Sequence, residues 1–210
     1  MIKAIIFDMD GVLIEAKDWH YEALNKALAL FGFSISRFDH LTAYDGLPTK
    51  TKLERLSIET GFPRELHGFV NEMKQEYTIE MVHAFCRPTF CHEYALSRLK
   101  SEGYALAVAS NSIRNTVELM MEKSHLGKYL DFQFSNEDVS RPKPDPEIYL
   151  KAMKTLGVSP VECLIVEDNE NGIRAATSSG AHLLQVADVS EVNYSNISRI
   201  IRQIDKGIVK

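Results

Sequence analysis

The sequence contains few of the residues that mark disulfide-rich, membrane or secreted proteins. Only three of its 210 residues are cysteine, Cys86, Cys91 and Cys163, which is too few for a disulfide framework and shows no metal-ligand pairing. No apolar run approaches the roughly 18 residues that a membrane-spanning helix requires. The apolar N-terminal stretch reaches Asp8 too early for a secretory signal. We therefore expect a soluble, cytoplasmic protein.

Positive charge is also scarce. The chain has 24 Lys and Arg residues against 29 Asp and Glu residues, a formal net charge of -5. Because nucleic acids and acidic lipids bind to clustered cations, we expect neither as a partner. A glycine-rich loop ending in Gly-Lys-Ser or Gly-Lys-Thr is absent, which argues against a P-loop nucleotide site. The remaining composition, 45% hydrophobic and 25% charged, is that of an ordinary globular protein.

Short apolar runs alternate with helically spaced segments over much of the chain. The apolar runs predict strands at 3–8, 104–110 and 163–168, with weaker candidates at 130–135 and 182–186. Predicted helices lie at 90–102, 146–156 and 171–179, and each is followed by a glycine, a common residue at helix C-termini. This alternation predicts an α/β fold with a doubly wound parallel sheet, a Rossmann-like core.

One long segment, residues 15–85, interrupts the alternation. It contains only helical patterns, at 19–31, 49–60 and 64–82, separated by glycine and proline turn signals. A segment of this length is too long for a loop inside a compact sheet domain. We therefore predict an inserted helical domain at 15–85 and an α/β core formed by 1–14 and 86–210.

Four polar clusters follow the predicted strands. They are Asp8-Met9-Asp10-Gly11, Ser110-Asn111-Ser112, the proline-rich stretch around Lys143, and Glu167-Asp168. Each has an ordinary structural interpretation when taken alone: a turn, a helix N-cap, a rigid connection and an exposed acidic turn. Ligands of open parallel sheets bind outside the carboxyl ends of the strands, so we expect these clusters to converge.

The clusters together indicate metal-assisted phosphoryl transfer. Carboxylates from two strand ends can hold Mg²⁺, which prefers oxygen ligands. A carboxylate nucleophile can form an acyl-phosphate and so divide a difficult hydrolysis into two easier steps. A fixed lysine and a Ser-Asn pair can neutralise and orient the phosphoryl oxygens.

In this order, the four clusters resemble the signature motifs of the haloacid dehalogenase superfamily. The resemblance covers essentially the whole chain, and residues 141–146 and 167–176 are similar to the β-phosphoglucomutase-like branch, which includes sugar phosphatases. It implies that residues 15–85 form a helical cap. It also implies a Mg²⁺-dependent phosphatase that hydrolyses a small phosphorylated metabolite, such as a sugar phosphate, through an aspartyl-phosphate intermediate.

The resemblance also implies a role for each motif residue. Asp8 would be the nucleophile and Asp10 the general acid/base. The phosphoryl group would be bound by Ser110, Asn111 and Lys143. Mg²⁺ would be held by Asp8, the Asp10 backbone carbonyl and Asp168, with Glu167 either as a further ligand or as a support for the ligands.

The cap segment departs from the family pattern in ways that bear on the substrate. Thr49 stands where sugar phosphomutases of this branch have an arginine for a second phosphate, with Lys50 and Lys52 beside it, and His20 matches a histidine at the cap hinge. These four residues are the specificity candidates. The threonine favours a phosphatase over the alternative of a sugar phosphomutase. A catalytically silent binding domain is a further alternative, and a monomer is expected, although the oligomeric state is left open.

Overall fold

The computed structural model describes residues 1–208 and divides into two compact units. One unit is Ala16–Cys86, and the other joins Met1–Glu15 to the chain from Arg87 onward. Each division lies one residue after the boundary expected from the sequence.

The larger unit is built on a five-stranded sheet in which every strand pair is parallel. Its strands are β1 (Ala4–Phe7), β2 (Ala105–Ala109), β3 (Phe132–Phe134), β4 (Cys163–Glu167) and β5 (His182–Gln185). The strand order β3-β2-β1-β4-β5 shows that the chain winds to one side of β1 and then to the other. The prediction of a doubly wound parallel sheet is confirmed, and the winding reverses at β1, where such sheets bind ligands.

The strands are buried on both faces, which explains their continuous apolar sequences. In β1, Ala4 and Ile6 belong to one apolar cluster, and Ile5 and Phe7, which alternate with them, are also fully buried. Ile6 is in register with Ala107 of β2 and with Ile165 of β4. The strands are shorter than predicted, and several of the excluded terminal residues are polar, among them Lys3, Asp8 and Ser110.

Within residues 1–208, five α-helices accompany this sheet. They are α5 (Phe90–Ser101), α6 (Arg114–Lys123), α7 (Glu147–Leu156), α8 (Glu170–Ser179) and α9 (Tyr194–Asp205). Apolar residues of α7 and α8, among them Tyr149 and Ala176, pack in the same cluster as Ile6. The sequence prediction included α5, α7 and α8. It gave no bounds for α6, whose N-cap it expected at residues 110–112, and it omitted α9, although the spacing of Ile197 and Ile201 is helical.

The smaller unit is helical throughout. Its helices are α1 (Lys17–Ala29), the short α2 (Arg37–Asp39) continued by a π-helical turn (His40–Tyr44), α3 (Thr49–Thr60) and α4 (His67–Phe85). They enclose a separate apolar core that includes Leu28, Leu56 and Val70. The helix predicted at 64–82 is two elements, because Leu66 bonds to the Pro63 carbonyl and forms a 3₁₀ turn, Arg64–Leu66, before α4. Within the described residues no helix is long and apolar enough to cross a membrane.

Candidate active site

Three adjacent strands of the larger unit end in the polar residues that the sequence singled out. Asp8 follows β1, and its backbone N–H donates to the carbonyl of Val166 in β4 at 2.9 Å. Ser110 follows β2, and its N–H donates to the carbonyl of Phe134 in β3 at 3.0 Å. These bonds extend the sheet by one residue and fix the point from which each side chain leaves it. Glu167 is the last residue of β4.

A buried lysine joins two of these strand ends. The Lys143 ammonium donates to Asp8 Oδ1 at 2.6 Å and to Glu167 Oε1 at 2.7 Å. The three residues are 3%, 7% and 1% exposed, respectively. Breaking a buried ion pair of this kind by removing one partner costs about 3–5 kcal/mol, because the other charge stays buried without compensation. The arrangement therefore holds the lysine beside Asp8.

The position of the Lys143 backbone is set by Asn111. The Asn111 side chain accepts a hydrogen bond from the Lys143 N–H at 3.0 Å and donates to the Lys143 carbonyl at 3.2 Å. The family resemblance implies that Asn111 binds the phosphoryl group. In the structure the Asn111 side-chain amide bonds to the backbone of Lys143 through its oxygen and one of its N–H groups, so this side chain positions the lysine segment.

Glu167 receives four hydrogen bonds from the protein. Its Oε1 accepts from Lys143 and from the Tyr149 hydroxyl at 2.7 Å, and its Oε2 accepts from the backbone N–H groups of Asp168 at 2.9 Å and Asn169 at 3.2 Å. A carboxylate offers about four lone-pair sites. Because all four are used, the geometry favours the supporting role for Glu167 over that of a metal ligand.

Helix α8 passes so close to Glu167 that only glycine fits at position 172. A Cβ atom built on Gly172 would lie 1.6 Å from Glu167 Oε1 and 2.4 Å from Oε2. Ordinary contacts of a Cβ atom begin at 3.4 Å. The backbone of α8 therefore helps to confine the glutamate that holds Lys143.

Three carboxylates of the site are close enough to share one cation. One oxygen each of Asp8, Glu167 and Asp168 lies within 4.8 Å of the others, and both carboxylate oxygens of Asp168 are buried. The donors are all hard oxygens, the ligands that Mg²⁺ prefers. Among the described residues the Lys143 ammonium bonds to two of these carboxylates, Asp8 and Glu167. One positive charge against three negative charges leaves two that a divalent cation would balance. The residues present therefore fit Mg²⁺.

The carboxylate of Asp10 lies outside this cluster of three. Its Oδ2 accepts a hydrogen bond from the Ser112 hydroxyl at 3.0 Å, which links the end of β1 to the loop after β2. Sequence reasoning named Ser112 only as part of its cluster and gave it no role. A metal contact through the Asp10 backbone carbonyl, as the resemblance implies, leaves this side-chain contact in place.

Burial and charge shift the ionisation of the site. Burial, followed by the charge of Glu167, raises the pKa of Asp8 well above its ordinary value. Burial alone would lower the pKa of Lys143, but the carboxylates of Asp8 and Glu167 outweigh it and raise that pKa. Burial and Glu167 also raise the pKa of Tyr149, which keeps its hydroxyl protonated as a donor.

The Ser110-Asn111-Ser112 cluster does not cap a helix, contrary to the sequence interpretation. Helix α6 begins at Arg114, and its N-cap residue, Ile113, makes no side-chain capping bond. The Ser110 hydroxyl instead accepts from the Ser112 N–H at 3.0 Å and closes a turn at the strand end. As a hydroxyl it retains a proton that it can donate to a ligand oxygen.

The four specificity candidates belong to the smaller unit. His20 lies in α1, and its Nδ1 is 3.2 Å from the ammonium of Lys74, a buried residue of α4 that the sequence analysis did not select. Thr49 begins α3, Lys50 is exposed, and Lys52 is buried with 7% exposure. A lysine on a helix is normally interpreted as a solvated residue, so the sequence offered no sign that Lys74 is buried.

Comparison with known proteins gives matches along nearly all of the chain. The family model described as haloacid dehalogenase-like hydrolase matches residues 5–186. The phosphoglycolate phosphatase of Aquifex aeolicus is 27% identical, with all of both chains covered. A phosphorylated carbohydrates phosphatase of Thermotoga maritima is 28% identical over 85% of this chain and 82% of that protein. The crystal structure of a β-phosphoglucomutase from Clostridium difficile covers both chains completely, with a TM-score of 0.84 at 24% identity, which shows a shared fold.

Proposed function

Because this chain belongs to the haloacid dehalogenase-like hydrolase family, we propose that it is a Mg²⁺-dependent phosphatase of a small phosphorylated metabolite. The observation that carries the proposal is the buried contact between Lys143 and Asp8 beside a cluster of three carboxylates. Relatives named as phosphatases of phosphoglycolate and of phosphorylated carbohydrates support the reaction class, hydrolysis of a phosphoric monoester.

Mg²⁺ would be held by the carboxylates of Asp8 and Asp168 and by the backbone carbonyl of Asp10. When bound, the cation offsets negative charge on the transferring phosphoryl group. Glu167 would keep Lys143 and the end of β4 in place, because its acceptor sites are used by protein donors.

Asp8 would attack the phosphorus atom and form the aspartyl-phosphate. Lys143, which is already bonded to Asp8, would balance the charge that gathers around this carboxylate and the incoming phosphoryl oxygens. The Ser110 hydroxyl and the backbone N–H of Asn111 would bind other phosphoryl oxygens.

Asp10 would act as general acid and base. It would protonate the leaving-group oxygen in the first step and take a proton from the attacking water in the second. The bond from Ser112 to Asp10 Oδ2 would hold that carboxylate in place for this proton transfer. Proton transfer of this kind contributes about 10²–10⁴-fold to the rate.

The substrate would be a small sugar phosphate or a related phosphorylated acid. Two relatives named for such compounds support this class. His20, Thr49, Lys50 and Lys52 remain the specificity candidates, and their lysines would suit a substrate with a second negative group. Thr49, in the place of an arginine, still favours hydrolysis over phosphate transfer between two positions of a sugar.

The direct test is a phosphate-release screen against a panel of sugar and glycolytic phosphates, with Mg²⁺ and with a chelator. We expect release that requires Mg²⁺ and is lost in Asp8→Asn. The matched control is Asp131→Asn, which changes an aspartate that precedes β3 and so lies at the opposite end of the sheet. Interconversion of sugar phosphates without net release would indicate a mutase. No turnover of any compound would indicate a silent binding domain.

A further inference from the structure

Tyr149 is a buried residue of α7 that the proposed reaction does not yet use. It is completely inaccessible to solvent and belongs to the apolar cluster between α7, α8 and the sheet. Phenylalanine would fill the same space without placing a hydroxyl in an apolar region. A buried hydroxyl costs free energy unless it is hydrogen-bonded, so the partner of this hydroxyl matters.

The hydroxyl and the ring of Tyr149 contact the two ends of one ion pair. The hydroxyl donates to Glu167 Oε1 at 2.7 Å, and the Lys143 ammonium lies 4.7 Å from the centre of the ring. The same Oε1 atom accepts from Lys143 at 2.7 Å. A cation at this distance from a tyrosine ring is attracted to it. Tyr149 therefore contacts the lysine directly and also through the glutamate.

We propose that Tyr149 is a positioning residue that holds Glu167 and Lys143 so that the lysine keeps its bond to Asp8. The kinetic part of this inference rests on the proposed phosphatase function, whereas the structural part does not.

The reasoning concerns how one ammonium is shared between two carboxylates. Lys143 is 2.6 Å from Asp8 and 2.7 Å from Glu167, so the two acceptors compete for it on nearly equal terms. The tyrosine hydroxyl supplies part of the hydrogen bonding that Glu167 Oε1 requires. Without that donor, Oε1 would depend on Lys143 alone and draw the ammonium away from Asp8. The phosphoryl step would then lose part of its charge balance, and substrate binding would change little.

The chain offers a matched control in the other unit. Tyr44 is 2% exposed, donates to Glu59 at 2.6 Å, and has the Arg55 guanidinium 5.3 Å from its ring centre. Tyr149→Phe and Tyr44→Phe thus each remove a tyrosine hydroxyl that donates to a glutamate beside a cation, although Glu59 is 43% exposed and Glu167 only 1%. Only the first removes it from the ion pair at Asp8.

The experiment measures kcat, KM and the ¹H–¹⁵N ammonium resonance of Lys143, assigned by its loss in Lys143→Met. We expect Tyr149→Phe to shift that resonance and to lower kcat about tenfold, while KM stays within about twofold of the wild-type value. A tenfold loss corresponds to the contribution of about one hydrogen bond to a charged group. Tyr44→Phe should leave both readouts at the wild-type level.

An unshifted resonance in Tyr149→Phe would overturn the proposal, and so would a shift that leaves kcat unchanged in an active enzyme. An equal loss of kcat in Tyr44→Phe would assign the effect to general destabilisation and also overturn it. If the wild type hydrolyses no phosphate ester, the phosphatase function fails, while the resonance still decides whether Tyr149 positions Lys143.

Discussion

Replacing Gly172 with alanine should damage the site through a single methyl group. The new Cβ atom would lie 1.6 Å from Glu167 Oε1, whereas ordinary contacts begin at 3.4 Å, so the carboxylate must move by roughly 1.8 Å. A displacement of that size would break the 2.7 Å bonds from Lys143 and Tyr149 to the same oxygen. The lysine would then be held by Asp8 alone.

The expected cost follows from the burial of the ion pair. Glu167 is 1% exposed and Lys143 is 3% exposed, so water cannot replace the lost bonds. Disrupting a buried pair of this kind costs about 3–5 kcal/mol. For a chain of this size, each kcal/mol lowers the melting temperature by about 2–4 °C. We therefore expect Gly172→Ala to melt roughly 6–20 °C lower and to lose at least about a hundredfold in kcat.

Differential scanning calorimetry and phosphate release would measure these two effects. The matched control is Gly68→Ala, because Gly68 also lies in a helix but a Cβ atom there would meet no atom within 4 Å. That variant should be neutral or more stable by up to about 1 kcal/mol, as alanine favours helices. A Gly172→Ala protein with wild-type melting temperature and activity would refute the account of how Glu167 is confined.

Three further predictions concern charges and hydrogen bonds. Lys143→Met should lower the free energy of unfolding by about 3–5 kcal/mol in urea denaturation, because it leaves the buried carboxylate of Asp8 without its cation; an unchanged midpoint would contradict this. Burial, with the charge of nearby Lys52, lowers the pKa of His40 to about 4, so the unfolded chain binds a proton more readily. Stability should therefore fall as the pH drops from 6.5 to 4, by about 3 kcal/mol for this group, and His40→Gln should show a correspondingly flatter stability profile over that range. Ser112→Ala should lower kcat about three- to tenfold by releasing the carboxylate that Ser112 holds, with KM little changed; an equal rise in KM would indicate a substrate contact instead.

The sheet and the residues at its strand ends could be predicted because both depend on local sequence. Continuous apolar runs of four or five residues that end in acids indicate buried parallel strands, and the strand ends then place Asp8 and Glu167 at one edge. The four-residue spacing of Ile197 and Ile201 in α9 carried an equally local signal. The prediction of helices was therefore wrong to omit α9, because the sequence contains the spacing that indicates it.

The support of the site could not be predicted, because it depends on how α7 packs against the sheet. Asn111 and Lys143 are 32 residues apart, and no periodicity links the amide of the first to the backbone of the second. Tyr149 occupies an apolar position of a helix. Packing of its ring is enough to account for an aromatic residue there, so the sequence gives no sign that its hydroxyl has a role. Its bond to Glu167 exists only because the helix and the end of β4 meet in three dimensions. The side-chain contacts of Asn111 and Glu167 therefore could not be read from the sequence, and their roles toward the phosphoryl group and the metal stay predictions.

The most direct test of the central claim is to identify the residue that receives the phosphoryl group. The enzyme would be mixed with Mg²⁺ and a compound that it hydrolyses. The reaction would be quenched in acid, and the protein would be digested for mass spectrometry. We expect one phosphoryl group on Asp8 when the wild-type enzyme is quenched during turnover, and none on Asp8→Asn treated in the same way. Substrate hydrolysis that continues in Asp8→Asn, or a phosphoryl group found on another residue, would contradict the assignment of Asp8 as the nucleophile.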